Sequence, residues 1–339
     1  MANGFVEKYN KAAEFYIKDL KYKGASETTI NNYAKRTRYF REFWEKTEPT
    51  SDPTVADVRE WRNAMLEKGT SPKTVKQYLI ELGAFFEYTS DPKDVGRFYD
   101  ANPVTKKLYP SLKGESSKPY NKILSDDSLK KLWSNKKSYG SEKFWARNYA
   151  IVMLLIDGKI RNSELLDLKL SDVDFEYNEI VISKGKGNKW RVVTLSDIST
   201  TALRLYLESG IRPADVSDDD YLFGTTAEKK FGGATSGGEW HRGSSQWLSA
   251  ITERFVRNVT GNEGFRTHSL RHNGAILELN NGVSLERMQS ELGHSSIQTT
   301  ELYTGRMKSK RRSEGTREVI AERDAWAIKN KEMLAEAGI

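Results

Sequence analysis

The apolar positions open on a helical rhythm. Phe5, Tyr9, Ala13, Tyr16 and Leu20 recur every three or four residues, and the same spacing returns at Val55, Val58, Trp61 and Leu66. After each run comes a segment that copies the other. KGASETTINNYAKRTRYF begins at Lys23 and KGTSPKTVKQYLIELGAFF at Lys68. They match in register at Lys23/Lys68, Gly24/Gly69, Ser26/Ser71, Thr29/Thr74, Tyr33/Tyr78 and Phe40/Phe85. Gly24 and Gly69 suit the left-handed position past a helix end. Ser26, Ser71 and Thr54 suit the N-cap, and Pro72 fits a first turn. The pattern predicts four helices arranged as two helix–turn–helix units. Two readings stay open: a duplicated hairpin that only packs, or exposed N-terminal amides beside Lys and Arg that hold phosphates.

Beyond residue 91 the periodicity lapses, and Pro92, Pro103, Pro110, Gly114, Ser116, Ser117 and Pro119 gather, a composition that suits a boundary. The expected division is a helical domain over 1–100, a linker over 101–123 and a second domain over 124–339. LSDDSLKKLW opens that domain with Ser125 as cap. Residues 148–156 read as a buried helix, Arg161 sits in a turn, and Glu164, Leu165 and Leu168 begin a short helix. EIVIS and WRVVTLS read as a hairpin whose turn carries Lys184, Lys186 and Lys189. A helix over 200–209, a turn at Asp218–Asp220 and a Gly/Ser-rich loop over 231–245 follow. At the end, Val319, Trp326 and Met333 recur every seven residues, as do Ile320, Ala327 and Leu334, giving a helix over 314–337. The fold class is mainly α with a small β-hairpin or sheet: an all-helical first domain and a mixed α+β second one.

Composition narrows the class. The 339 residues hold 54 basic and 47 acidic side chains, a net charge of +7 that hints at nucleic acid and decides little alone. The longest apolar run, 150–156, is far short of the ~18 residues of a membrane span. The start, MANGFVEKYN, has no apolar signal core, so the expected location is the cytoplasm. With no cysteine there is no disulfide, thiolate nucleophile or Cys-based zinc site.

Three chemistries compete for the polar residues. His268-x-x-x-His272 has the i, i+4 step of zinc helices but lacks the glutamate of HExxH. Asp218, Asp219 and Asp220 point in different directions and fit a capped turn before a strand better than a metal site. No G-x-S-x-G elbow is present. What remains is a cationic set with a late tyrosine. Arg161 and Arg271 suit the non-bridging oxygens of a phosphodiester, and Lys186, His268 or His294 can move a proton. Tyr303 is the candidate nucleophile, and no metal or cofactor is needed.

These residues stand in motifs that resemble the tyrosine recombinases of the phage-integrase family, in a two-domain, Xer-like form. GKIRNSELLDLKLSDVD resembles the first arginine box, with Arg161 and Glu164; GKGNKWR the hairpin lysine motif, with Lys186; HSLRH the His-x-x-Arg box, with His268 and Arg271; and LGHSSIQTTELYTG the closing box, with His294 and Tyr303. Gly158-Lys-Ile-Arg161 carries one residue more than the usual G-x-R. The resemblance implies a SAM-like core-binding domain followed by a tyrosine-recombinase catalytic domain, and it turns the N-terminal repeat towards DNA. Lys23, Ser26, Lys68, Ser71, Lys73, Lys76, Lys184 and Lys189 become expected DNA contacts. It implies a site-specific recombinase or integrase that cuts and rejoins double-stranded DNA at core sites, through a 3′-phosphotyrosyl link and a Holliday junction. Glu164 would orient its neighbours, and His272, directly after Arg271, would point elsewhere and make a structural hydrogen bond. It further implies a homotetramer on DNA joined by the C-terminal helix; the bland alternative is a helix packed on its own domain. Alternatives are a related resolvase, a type IB topoisomerase-like nicking and closing enzyme, or a non-catalytic regulator on the same fold.

Overall fold

A computed structural model describes residues 4–93, 97–112, 123–134, 144–183, 190–230 and 233–292, together with 320–321, 323–325 and 328; for 227–230 and 233–238 it describes the backbone alone. The chain divides into two compact units, Met1–Lys118 and Pro119–Ile339.

Unit one holds α1 (Gly4–Tyr22), α2 (Glu27–Trp44), α3 (Val55–Glu67) and α4 (Pro72–Thr89). The duplicated sequence produces duplicated hydrogen bonds. After α1, Gly24 N donates to Lys21 O at 3.0 Å and Ala25 N to Leu20 O at 3.0 Å; after α3, Gly69 N donates to Leu66 O at 2.9 Å and Thr70 N to Met65 O at 3.0 Å. Both glycines stand at positive φ, 70° and 78°, where a Cβ would strain the turn. The Ser26 and Ser71 hydroxyls then accept from the amides of Thr29 and Thr74, each at 3.2 Å. At Thr54 the side chain caps α3 and Asp57 reaches back to the Thr54 amide at 2.7 Å.

Within unit one the helices pack through aromatic rings. Tyr9 lies 5.1 to 6.1 Å from the rings of Phe40, Trp44, Phe85 and Phe86, pairs worth about 0.5–1.5 kcal/mol each beyond their area. Arg36 and Glu81 occupy equivalent places in the two copies and pair with each other at 2.9 Å, joining α2 to α4. Residues 102–108, inside the segment expected as linker, pack on this unit: Asn102 Nδ2 donates to Gly83 O at 3.0 Å, and Val104 and Leu108 are buried.

Unit two is built around α6 (Trp145–Ile156), apolar on every side and buried almost throughout, as a central helix must be. Around it stand α5 (Asp126–Trp133), α7 (Asn162–Asp167), α8 (Asp197–Glu208), α9 (Ser245–Thr260), α10 (Thr267–Asn280) and α11 (Leu285–Leu292). Ser196 and Asp197 start α8 three residues ahead of the expected Thr200. The expected hairpin is the major part of an antiparallel three-stranded sheet, β1 (Val173–Asp174), β2 (Glu179–Ile182) and β3 (Arg191–Thr194), with Val181 opposite Val192.

The loop expected over 231–245 is corrected by the structure. A second antiparallel hairpin stands there, β4 (Gly224–Lys230) and β5 (Gly233–Arg242). Glycine and serine hide the strand signal because they carry no apolar alternation. The base is held instead by specific groups: Trp240 Nε1 donates to Tyr221 O at 2.8 Å, and Arg242 Nε to Asp167 Oδ1 at 2.5 Å. The turn at Asp218–Asp220 serves the same corner, receiving Ser171 N on Asp218 O at 2.9 Å and Ser171 Oγ on Asp219 Oδ1 at 3.0 Å. Among the described residues, no helix is long and apolar enough to cross a membrane.

Helices α6 and α10 touch backbone to backbone. A Cβ on Gly274 would stand 1.7 Å from the carbonyl oxygen of Ile156, which cannot yield without moving a helix. Gly274→Ala is therefore expected to destabilise by about 3 kcal/mol or more, read as a lower urea midpoint at unchanged slope; an unchanged midpoint would contradict this packing.

Candidate active site

Glu164 lies at the third position of α7 and is only 4% exposed. A bare buried carboxylate is costly, and this one is surrounded by donors. Arg161 gives its backbone amide at 2.9 Å and Nη1 at 2.7 Å. Arg191, the first residue of β3, gives Nη1 at 2.8 Å and Nη2 at 2.7 Å in a two-pronged grip. Arg271 Nη1 stands 4.0 Å from Oε2. Burial pushes the Glu164 carboxyl up, but the hydrogen bonds and charge of Arg191, followed by the bonds from Arg161, outweigh it and hold it at about 2.

The two arginines of the expected set converge on one atom. Arg161 Nη2 donates to the carbonyl of Leu292 at 2.8 Å and Arg271 Nη2 to the same oxygen at 2.6 Å. Leu292 ends α11, two residues ahead of His294. The entry of α10 is tied to that of α7, where Asn162 Nδ2 donates to Thr267 Oγ1 at 3.1 Å. Arg271 is 2% exposed and points inward from α10, whereas His268, three residues earlier, lies at the surface. Desolvation of the His268 ring, then the charges of Arg271 and Arg161, lower it below its usual value, so the imidazole is neutral near pH 7.

His272 is half-buried where Arg271 is buried, and it makes the hydrogen bond expected of it, to His268. Its ring stands edge-on to that of His268 at 4.3 Å between centroids, with Nε2 to Nε2 at 2.9 Å. The i, i+4 step on α10 brings the rings together. Arg191 closes the GKGNKWR motif, and its signal in the sequence is its place at the head of the strand that leaves the lysine turn.

Lys186, His294 and Tyr303 lie outside the described residues, as do Lys184, Lys189 and most of 314–337. In unit one, Ser26 and Ser71 are exposed at the starts of α2 and α4, and Lys68 and Lys73 are exposed beside them. Lys23 pairs with Asp19 at 2.6 Å and sits 4.9 Å over the Tyr88 ring, and Lys76 lies 6.0 Å over that of Tyr109.

The Glu164 cluster has a testable pH signature. Its folded-state value lies below its ordinary one of 4.5, so its stabilisation is complete above that pH and fades as pH falls towards about 2. Glu164→Gln should cost about 3 kcal/mol near neutrality by leaving buried guanidiniums without their carboxylate. In urea titrations, the gap between the two proteins should shrink as pH falls from 4.5 to about 2; a gap independent of pH would refute the assignment.

Comparison with known proteins follows the same lines. Residues 122–310 match the phage integrase family, and residues 13–93 its N-terminal SAM-like domain. The tyrosine recombinase XerD of Listeria monocytogenes is 26% identical over 288 residues, 83% of this chain and 89% of that one. The tyrosine recombinase XerC of Corynebacterium glutamicum is 29% identical over 281 residues, 83% of this chain and 82% of that one. Among solved structures, the XerH site-specific recombinase bound to a palindromic difH substrate in a post-cleavage complex superposes with a TM-score of 0.65 at 25% identity, covering 84% of this chain and 78% of that one. With both units matched in order and more than half of the chain inside the catalytic match, the chain belongs to the phage integrase family of tyrosine recombinases.

Proposed function

We propose that this protein is a site-specific DNA recombinase whose phosphate pocket is formed by Arg161 and Arg271, with Lys186, His268, His294 and Tyr303 completing the site. The observation that carries this reading is the shared oxygen: two guanidiniums already aim at one carbonyl, the arrangement a non-bridging phosphate oxygen requires. Glu164 orients Arg161 and does not react. Arg191, bound to the other side of Glu164, ties the strand leaving the lysine turn to the same carboxylate.

The reaction then balances without a cofactor. The Tyr303 hydroxyl gives up its proton, which His268 helps to carry off, as its oxygen attacks the scissile phosphorus and forms a 3′-phosphotyrosyl bond. The bond from phosphorus to the 5′-oxygen breaks, and Lys186 delivers a proton to that leaving oxygen. Arg161 and Arg271 neutralise the charge on the non-bridging oxygens, His268 assists proton movement, and His294 donates to an oxygen. A partner strand's 5′-hydroxyl reverses the step, and two rounds pass through a Holliday junction. In unit one, Lys23, Ser26, Lys68, Ser71, Lys73 and Lys76 hold the backbone of core-site DNA at the starts of α2 and α4, with Lys184 and Lys189 adding contacts from the hairpin tip. On this reading the protein acts on DNA in the cytoplasm.

A nicked suicide substrate carrying the core site tests the chemistry. A covalent protein–DNA adduct is expected from the unmodified protein and none from Tyr303→Phe; an adduct that persists in that variant removes Tyr303 from its role.

The same reading includes a tetramer on DNA joined by the helix over 314–337. In the single chain, Ile320 packs on the catalytic core and Arg323 Nη1 stands 3.4 Å from Asp157 Oδ1, contacts that would be exchanged between copies. A crosslinking cysteine at Trp326 should join neighbouring copies within the DNA complex; solely intramolecular products would reject the exchange.

A further inference from the structure

Lys159 lies in Gly158-Lys159-Ile160-Arg161, the turn before the first arginine of the site, and its surroundings are unusual for a lysine. It is 5% exposed, and its backbone stands at φ 50°, in the left-handed region that a residue with a Cβ enters at a cost. The ammonium donates to the carbonyl of Asp157 at 2.7 Å and to Glu278 Oε1 of α10 at 2.6 Å, and it lies 3.4 Å from Glu291 Oε2 of α11. One cation thus joins the α6–α7 turn to two further helices. Burial pushes the Glu278 carboxyl up, and Lys159 is the chief influence opposing it.

The backbone of the same residue faces the pocket. Arg271 Nη1 donates to the carbonyl of Lys159. A second acceptor of Arg271, the carbonyl of Leu292, follows directly on Glu291, which the ammonium approaches. Two carbonyls that receive the Arg271 guanidinium are therefore fixed from one side chain.

We propose that Lys159 is a positioning residue: by gripping Glu278 and Glu291 it locks the carbonyls of Lys159 and Leu292, and through them it sets the guanidinium of Arg271 before substrate arrives. The consequence for cleavage rests on the recombinase reading above, while the positioning itself does not. The strain at φ 50° is offset by an ion cluster that needs the side chain to turn inward.

The test uses the full chain with ¹⁵N-labelled arginine, the Arg271 guanidinium signal being assigned by its loss in Arg271→Lys. Lys159→Met keeps the stem and removes the charge, which leaves Glu278 without the lysine and Glu291 with Arg287, 2.9 Å from its other oxygen. Lys159→Met/Glu278→Gln is therefore measured beside it, to remove the Glu278 charge and recover the thermal midpoint. In the unmodified protein the Nη signals of Arg271 should be resolved by slow rotation; in both variants they should merge with those of freely rotating arginines while the Arg191 signals stay resolved. At saturating nicked substrate, adduct formation by the double variant should be roughly ten- to a hundredfold slower with DNA affinity unchanged, the scale of a displaced binding group. Arg271 signals that remain resolved in both variants, or a double variant that reacts at the unmodified rate, would overturn the proposal. If the unmodified protein gives no adduct, the recombinase reading fails instead, and the response of the Arg271 signals still decides whether Lys159 positions that side chain.

Discussion

A single buried carboxylate, Glu164, is the constraint on which the catalytic unit depends. Arginines repel one another, and three of them approach within 4.0 Å of this group or closer. Without a negative charge at the centre, the low dielectric of the interior would drive them apart. With it, the α6–α7 turn, the first residue of β3 and the buried face of α10 are drawn towards one point. The surplus of positive charge then faces the Leu292 carbonyl rather than being dispersed over the surface.

The remainder of the unit supports that convergence. The glycine at 274 lets α10 meet the end of α6 at backbone distance, which brings Arg271 beside the turn that carries Arg161. Lys159 fastens the same turn to α10 and α11. Asp157, two residues earlier, accepts the Ser196 amide and hydroxyl at 2.8 and 2.7 Å, so the start of α8 is anchored to the same corner. The first unit follows a different logic, in which a duplicated helical hairpin is closed by aromatic packing and by one ion pair between equivalent positions of the copies.

Much of this was legible in the sequence because the signals are local. Caps at Ser26, Thr54, Ser71 and Ser125 depend on a few neighbouring residues, and each is found where its hydroxyl and the following apolar run place it. The buried helix α6 announces itself by an uninterrupted apolar run. The β4–β5 hairpin was not legible, since its strands are rich in glycine and its anchors, Tyr221 O and Asp167, lie outside the repeat of the strands. Arg191 and Lys159 were visible as letters of motifs but not as partners of Glu164 and of Glu278 and Glu291, because those pairings arise only when separate elements fold together. For His272, adjacency to Arg271 suggested a structural hydrogen bond, and the helical step supplies its partner, His268.

The central claim is that Arg161 and Arg271 are placed to neutralise a phosphate oxygen. It is tested most directly by removing the charge from the DNA instead of from the protein. Arg161→Ala should fail to form an adduct on a nicked phosphodiester substrate and should regain adduct formation when the scissile phosphate is replaced by an uncharged methylphosphonate. If neither methylphosphonate stereoisomer restores the variant while the unmodified protein cleaves the phosphodiester, the arginine does not serve the phosphate charge and the account is contradicted.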